Sequence, residues 1–211
     1  MTSAPKAAGR TSKRALDLLL AMGLMVPAGL LCLAASAGIR ITSPGPALFR
    51  QKRVGKDERI FTLFKLRTMY IDTRDQPSHH STASQITPLG AWLRRTKLDE
   101  LPQILNVLRG EMSFVGPRPG LPSHVELLEA RRACGVFSVA PGITGVAQLR
   151  GIDMSDPDKL ALADGEYIAR RSLRLDLIIL WRTFAGRGAG DAIGRSLPPA
   201  AAKSFGGTPP R

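Results

Sequence analysis

One apolar run sets the terms for the rest of this chain. From Ala15 to Ile41 nearly every residue is apolar, interrupted by Asp17, Pro27 and a few glycines. About 20 such residues are enough to cross the hydrocarbon core of a bilayer, and a helix apolar on almost every face belongs either inside a protein or in lipid. The run is too long for the apolar part of a secretion signal, and no cleavage site leading into a secreted-type domain follows it. Cationic flanks normally stay on the cytoplasmic side of a membrane. Here both flanks are cationic, with Arg10, Lys13 and Arg14 before the run and Arg40, Arg50, Lys52 and Arg53 after it. A spanning helix would put one cluster on the wrong side. Pro27, near the middle, lacks a backbone N–H and offers a break at which the chain turns back, provided the freed backbone groups find partners. Flanks and proline together predict a re-entrant segment over residues 13–42 that dips into one leaflet and returns.

The chain has 211 residues, the size of one ordinary domain with an appendage. Its formal net charge of +13 points to anionic partners: nucleic acid, phosphorylated small molecules or anionic lipid head groups. No recognised nucleic-acid motif and no aromatic interleaving of the basic residues occurs, which weighs against the first. The two cysteines, Cys32 and Cys134, make no disulfide framework and suit a reducing compartment. His79, His80 and His124 have no zinc spacing, and neither a Walker loop nor GxGxxG is found.

Along the chain, residues 1–12 read as a disordered basic arm and residues 186–211, rich in Gly, Ala and Pro, as a disordered tail. Between the apolar segment and that tail lies a folded domain, 43–185. Ala47 to Val54 and Arg59 to Met69, joined by Gly55-Lys56-Asp57-Glu58, alternate as a strand hairpin, and the polar stretch Asp72 to Ser84 reads as a surface loop. Thr87-Pro88 is an N-cap and first-turn pair opening a short helix, in which Trp92 suits either a core or a head-group level. Gly110 to Pro122 is too rich in Gly and Pro for a regular element, and Pro141 to Gly145 reads as a second rigid loop. Ser123 and Glu126 are spaced as a capping box. Asp156-Pro157 opens a helix toward Arg171, and Leu173 to Phe184 forms an apolar helix too short to span. Asp176 within it must be paired if buried, with Lys65 as an expected partner. The fold class is α+β, mainly helical, with a small β-hairpin and amphipathic helices.

The chemistry concentrates in Thr96 to Leu108, TKLDELPQILNVL. Pro102 is tolerated only in a first helical turn, so a helix starts at about Asp99, and Leu101, Ile104, Leu105 and Leu108 fall on one apolar face. An acid at such a start can be a cap, favoured in its ionised form by orphan N–H groups and the helix dipole. Two successive acids, Asp99 and Glu100, exceed what a cap needs. A helix start also suits a phosphate and its metal, and Arg94, Arg95, Lys97, Arg109 and Arg118 crowd around in sequence. Arg118, between Pro117 and Pro119, is either a solvated loop residue or a rigidly presented phosphate ligand. From the residues alone, two classes of function remain: metal-assisted chemistry on an anionic substrate, or a membrane-tethered basic module binding anionic lipid or nucleic acid.

Taken in order, Lys13-Arg14 with the apolar run, SPGPALFRQKRVG, FKLRTM, LDELPQILNVLRGEMSFVGPRP, PGITGVAQLRG and SLRLDLIILWRT resemble the bacterial sugar transferases. More closely, they resemble the small monotopic phosphoglycosyl transferases, which move a sugar-1-phosphate from a nucleoside diphosphate sugar to polyprenyl phosphate. The likeness runs from about Lys13 to Thr183. It implies that Asp99 is a nucleophile forming a covalent aspartyl intermediate, and that Glu100 is the partner carboxylate associated with Mg2+. It implies further that Arg94, Lys65 and Arg118 hold substrate phosphate, that Asp176 is a supporting acid beside the pocket, and that the membrane helix breaks at Pro27. Residues 43–185 would then be a catalytic domain on the cytoplasmic face of a bacterial inner membrane. The expected partners are the bilayer, polyprenyl phosphate and a UDP-linked amino sugar, without nucleic acid, for polysaccharide or glycoconjugate assembly. Three residues depart from the family pattern: Val26 where relatives often have Ser, the extra cation Lys97, and Ile178 at a commonly basic position.

Overall fold

Pro27 does not end the first helix. In the computed structural model, which describes residues 7–71 and 85–186, helix α1 runs without interruption from Ala7 to Thr42 with Pro27 inside it. An interior proline costs about 3 kcal/mol and one hydrogen bond, but helix is the state that satisfies the remaining backbone groups of an apolar stretch within the stretch itself. α1 also begins before Lys13, within the segment read as a basic arm. Residues 1–6, 72–84 and 187–211, carrying the rest of that arm, the polar loop and the tail, lie outside the described residues. Among those described, α1 is the one helix long and apolar enough to cross a membrane by length and composition.

Both arms of α1 pack on the same folded body. In the first arm, Lys13 Nζ lies 2.8 Å from Asp176 Oδ2, and Arg14 donates to the carbonyls of Val107 (2.6 Å) and Leu108 (2.9 Å). Buried Asp17 accepts from Ser113 Oγ at 3.0 Å and from the Phe114 N–H at 3.1 Å. In the second arm, Ile39 is buried with Ala47, Leu66 and Leu93, and Arg67 donates to the carbonyls of Ser43 and Pro44. Between the arms, Met22, Met25, Val26, Leu30 and Leu33 are all exposed.

The alternation after the turn does give a hairpin. β1 (Leu48–Val54) pairs antiparallel with β2 (Ile60–Leu66), Leu48 opposite Leu66 and Val54 opposite Ile60. Phe61 and Leu63 point into the core, while Lys65 on the same alternation reaches the site described below. α2 (Pro88–Thr96) starts as its sequence predicts, with Thr87 Oγ1 accepting from the Gly90 N–H at 2.9 Å. Leu93 of α2 is fully enclosed, a burial that stabilises by about 1.5–3 kcal/mol. Trp92 is 45% exposed, so it is no core residue.

The acidic stretch departs from the α-helical expectation. Leu98–Gln103 is a 3-10 helix, followed by a short α3 (Ile104–Arg109). Three residues per turn instead of 3.6 shifts the register, so Leu105 faces out (46% exposed) while Asn106 and Val107 are fully buried. Asn106 ties this turn to the hairpin: its Oδ1 accepts from the Phe64 N–H at 3.2 Å and its Nδ2 donates to Thr62 O at 2.8 Å.

The two Gly/Pro-rich stretches, whose composition predicts loops, hold a second sheet. β3 (Ser113–Val115) and β4 (Gly142–Thr144) pair in parallel, Ser113 opposite Gly142 and Val115 opposite Thr144. Glycine is what permits it: a Cβ on Gly142 would sit 2.1 Å from the Gly116 nitrogen. The crossover that parallel strands require contains α4 (Val125–Ala133), capped at His124 without a side-chain cap bond, so the expected capping box does not form. α5 (Val146–Leu149), α6 (Pro157–Arg170) and α7 (Leu173–Phe184) complete the body. Asp156 caps α6 as predicted, accepting from the Lys159 N–H at 3.1 Å. The core is mixed, drawing Ala21 from α1, Phe61 and Leu63 from β2, Ile104 and Val107 from α3, Phe114 and Val115 from β3, and Tyr167 and Ile179 from the last two helices.

Candidate active site

α2 and the 3-10 helix meet at Lys97, whose φ of 59° is left-handed. Its N–H donates to the carbonyls of Leu93 and Arg94, ending α2, and its carbonyl accepts from the Glu100 N–H at 3.2 Å, starting the next turn. The corner folds Arg94, in the last turn of α2, back beside Asp99. Positions three apart eclipse in a 3-10 helix, and Asp99 and Pro102 are accordingly both buried. Asp99 and Glu100 then diverge by about 120° rather than the 100° of an α-helix.

Glu100 turns to two cations. Its Oε1 accepts from Lys65 Nζ at 3.1 Å and from Arg118 Nη2 at 2.8 Å, joining β2 to the loop after β3. Asp99 turns inward and makes no hydrogen bond among the described residues. It does not cap the helix, which has no side-chain cap bond. Burial pushes its carboxyl up to about 6, opposed by Lys65, reinforced by Glu100, and opposed again by Arg94 and Arg118. The expected stabilisation of the ionised form by a cap is thus absent, and desolvation wins over the cations. At pH 7 about nine-tenths of the group is still ionised. The result is a carboxylate with free lone pairs inside a ring of cations.

Arg94 is held by one end only. Its Nε donates to Thr68 Oγ1 at 2.8 Å, while its Nη1 is buried without a hydrogen-bond partner among the described residues, although burying such a donor costs about 1–3 kcal/mol or more. Arg118 is fixed through its neighbours. The Pro117 carbonyl accepts from the Gly142 N–H at 2.9 Å, and the Pro119 carbonyl accepts from Arg53 Nη1 at 3.0 Å. Arg53 in turn donates to the Gln51 side chain. The sequence alone does not mark Thr68, Gln51 or Arg53 as supporting residues of this site. An inward polar pair at alternate positions of β1 was a signal, but alternation does not say which face is inside.

Lys65, Arg94, Asp99, Glu100 and Arg118 therefore converge from four separate segments. Asp176 binds elsewhere: it is buried in α7, and its partners are Lys13 rather than Lys65, and Tyr167, whose hydroxyl donates to Oδ1 at 2.8 Å. Burial and that carboxylate hold the Tyr167 phenol protonated far above its usual range. Pro27 lies in the exposed middle of α1. For a metal, no group of three or more His, Cys, Asp or Glu able to hold an ion occurs among the described residues. The donors here are two hard carboxylates, which fits the way Mg2+ is bound by one or two carboxylates with substrate phosphates and water completing the shell.

Residues 8–187 match the family model described as bacterial sugar transferase. The UDP-glucose:undecaprenyl-phosphate glucose-1-phosphate transferase of Caulobacter vibrioides is 40% identical over 85% of this chain and 70% of its own. A protein of the same name from Escherichia coli is 39% identical, over 82% of this chain and 39% of its own. The UDP-N-acetylgalactosamine-undecaprenyl-phosphate N-acetylgalactosaminephosphotransferase of Aeromonas hydrophila is 34% identical, over 81% and 42% respectively. The alignments thus take in only about two fifths of the last two relatives.

Proposed function

The chain belongs to the bacterial sugar transferase family, and from that membership we propose that it transfers a sugar-1-phosphate from a nucleoside diphosphate sugar to polyprenyl phosphate through Asp99. The observation that carries the reading is the Asp99 carboxylate, buried and free of hydrogen bonds among the described residues, with Lys65, Arg94 and Arg118 acting on its charge.

An Asp99 oxygen attacks the phosphorus that bears the sugar. The bond from that phosphorus to the oxygen of the nucleoside monophosphate breaks, and the monophosphate leaves with the electron pair. The product is a sugar phosphate esterified to the Asp99 carboxyl. A polyprenyl phosphate oxygen then attacks the same phosphorus and the Asp99 carboxylate leaves, regenerating the enzyme. Phosphoryl transfer of this kind depends chiefly on positioning and charge neutralisation. The free buried Nη1 of Arg94 suits a phosphate oxygen, and Arg118, stiffened on both sides, presents a fixed fork to a second. Glu100, beside Asp99, would hold Mg2+, which supplies charge neutralisation for the diphosphate. The two carboxylates point apart, so attack and metal binding come from different directions.

The reading extends to topology: α1 is re-entrant, both of its arms dock on one body, and that body lies on the cytoplasmic face of the inner membrane. As donor we propose a UDP-hexose. Of the three relatives given above, two are named for glucose and one for N-acetylgalactosamine, so the amino sugar that the family resemblance implies is set against glucose in the assay.

The test is mass spectrometry of the full chain incubated with UDP-glucose, UDP-N-acetylglucosamine or UDP-N-acetylgalactosamine, with magnesium and no acceptor. A hexose-phosphate adduct on the peptide containing Asp99, formed with release of uridine monophosphate, is the expected result. Asp99→Asn keeps the side-chain shape and gives neither adduct nor turnover. Turnover surviving in that variant, or an adduct on another peptide, would sink the assignment.

A further inference from the structure

A cavity of about 220 Å³ lies between α5, α6 and α7 and shares no lining residue with the Asp99 site. Its floor is apolar, made by Leu149, Leu175, Ile178 and Ile179, and its rim carries Arg150, Glu166, Arg170 and Arg182. Glu166 is taken by Arg150 at 2.7 Å. The rim keeps a formal charge of +2, on Arg170 and Arg182, which make no ion pair or hydrogen bond among the described residues. Two uncommitted guanidiniums over hydrocarbon fit a ligand with a phosphate at one end and an alkyl chain at the other.

The height of the cavity along α1 narrows the choice. Lys13 and Arg14 are where α1 passes from basic to apolar sequence, the level at which cationic side chains meet lipid head groups. Lys13 binds Asp176 of α7 at 2.8 Å, and Asp176 accepts from the hydroxyl of Tyr167 at 2.8 Å, a residue that lines the cavity. Two bonds therefore tie the cavity wall to the head-group level. On its outer side α7 exposes Leu177, Ile178, Trp181 (70%) and Phe184 (89%), an apolar face with an aromatic anchor of the kind that lies in a bilayer interface. Ile178 belongs both to that face and to the cavity, so the floor continues into the lipid-facing surface.

We propose that this cavity binds an anionic phospholipid, its phosphate between Arg170 and Arg182 and the first part of an acyl chain over Ile178 and Leu149. The proposal rests on the membrane association given above and not on the transfer reaction. The full chain with Trp92→Phe, leaving Trp181 as the one tryptophan of the two, is titrated into vesicles of phosphatidylcholine alone or mixed with phosphatidylglycerol, either lipid brominated on its acyl chains. Quenching of Trp181 at a lower mole fraction of the anionic than of the zwitterionic lipid is expected. Arg170→Gln with Arg182→Gln reduces that preference roughly tenfold or more, and Arg182→Gln alone reduces it in part. Arg171→Gln with Arg174→Gln, an equal charge change where α6 passes into α7, at residues that do not line the cavity, leaves most of it. Equal losses in the two double variants would assign the preference to general surface charge and overturn the proposal. So would inorganic phosphate abolishing the preference at unchanged ionic strength, because the cavity would then take a free anion. A chain that binds no vesicle at all overturns the membrane reading as well, whereas binding without selectivity overturns this inference alone.

Discussion

The Asp99 carboxylate is where the chain spends stability. Unfolded, the group titrates near 3.8, and in the folded protein it is raised to about 6, first by burial. Between those values the folded state holds a proton that the unfolded state has released. Stability is therefore greatest below the unfolded value and falls as pH rises through about 6, by about 3 kcal/mol once the group is ionised. Asp99→Asn should melt at a higher temperature than wild type at pH 7.5, and the difference should vanish toward pH 4, as thermal unfolding in detergent across that range would record. If Asp99 is the proposed nucleophile, turnover runs the other way, rising with pH to a plateau with an apparent pKa near 6, because only the ionised form would attack. A melting gap that persists at pH 4 would mean that the carboxyl is not raised by burial. The acids and their cationic neighbours were legible in the sequence as residue types and spacing. The direction of the shift was not, since it depends on the desolvation of Asp99 by segments distant in the chain.

Elements set the geometry through a few close approaches. Gly90 of α2 lies against Thr68, and a Cβ there would fall 2.0 Å from the Thr68 carbonyl oxygen. Thr68 also holds Arg94, so Gly90→Ala should displace α2, destabilise by about 1–3 kcal/mol, and lower turnover at least about tenfold. Wild-type melting together with wild-type turnover would contradict the packing. At the other side of the body, Lys13→Met leaves Asp176 buried with Tyr167 as its remaining partner, at a cost of about 3–5 kcal/mol. Lys13→Met combined with Asp176→Asn removes the stranded charge, and its melting temperature should lie between those of Lys13→Met and wild type. Local chemistry had made much of this layer readable: the Thr87 and Asp156 caps, the alternation of the hairpin and the span of α7 all follow from neighbours in sequence. β3 and β4 were hidden because each is three residues long and their pairing joins segments far apart at a glycine contact. The outward Leu105 was hidden because a 3-10 turn, not an α turn, precedes it.

For the molecule as a whole, the decisive arrangement is that α1 is fastened at both ends to one body. Single cysteines at Thr11 and Thr42, in a chain with Cys32 and Cys134 replaced by alanine, should both resist an impermeant thiol reagent in spheroplasts and both label after permeabilisation. Thr42 serves better than its neighbour Ser43, which is buried. Ready labelling of one site in sealed spheroplasts would make α1 a spanning helix. Arg14 binds the carbonyls that end α3, and α3 directly continues the 3-10 turn bearing Asp99. A helix that crosses must match its apolar length to the hydrocarbon thickness, tilting or deforming the bilayer when the two differ. A helix that enters and leaves by one face has no such length to match. On the proposed re-entrant topology the level of Asp99 is fixed by bonds inside the protein, so turnover in vesicles of short-chain and long-chain lipids should be the same, and bilayer thickness would have no purchase on where such a protein resides.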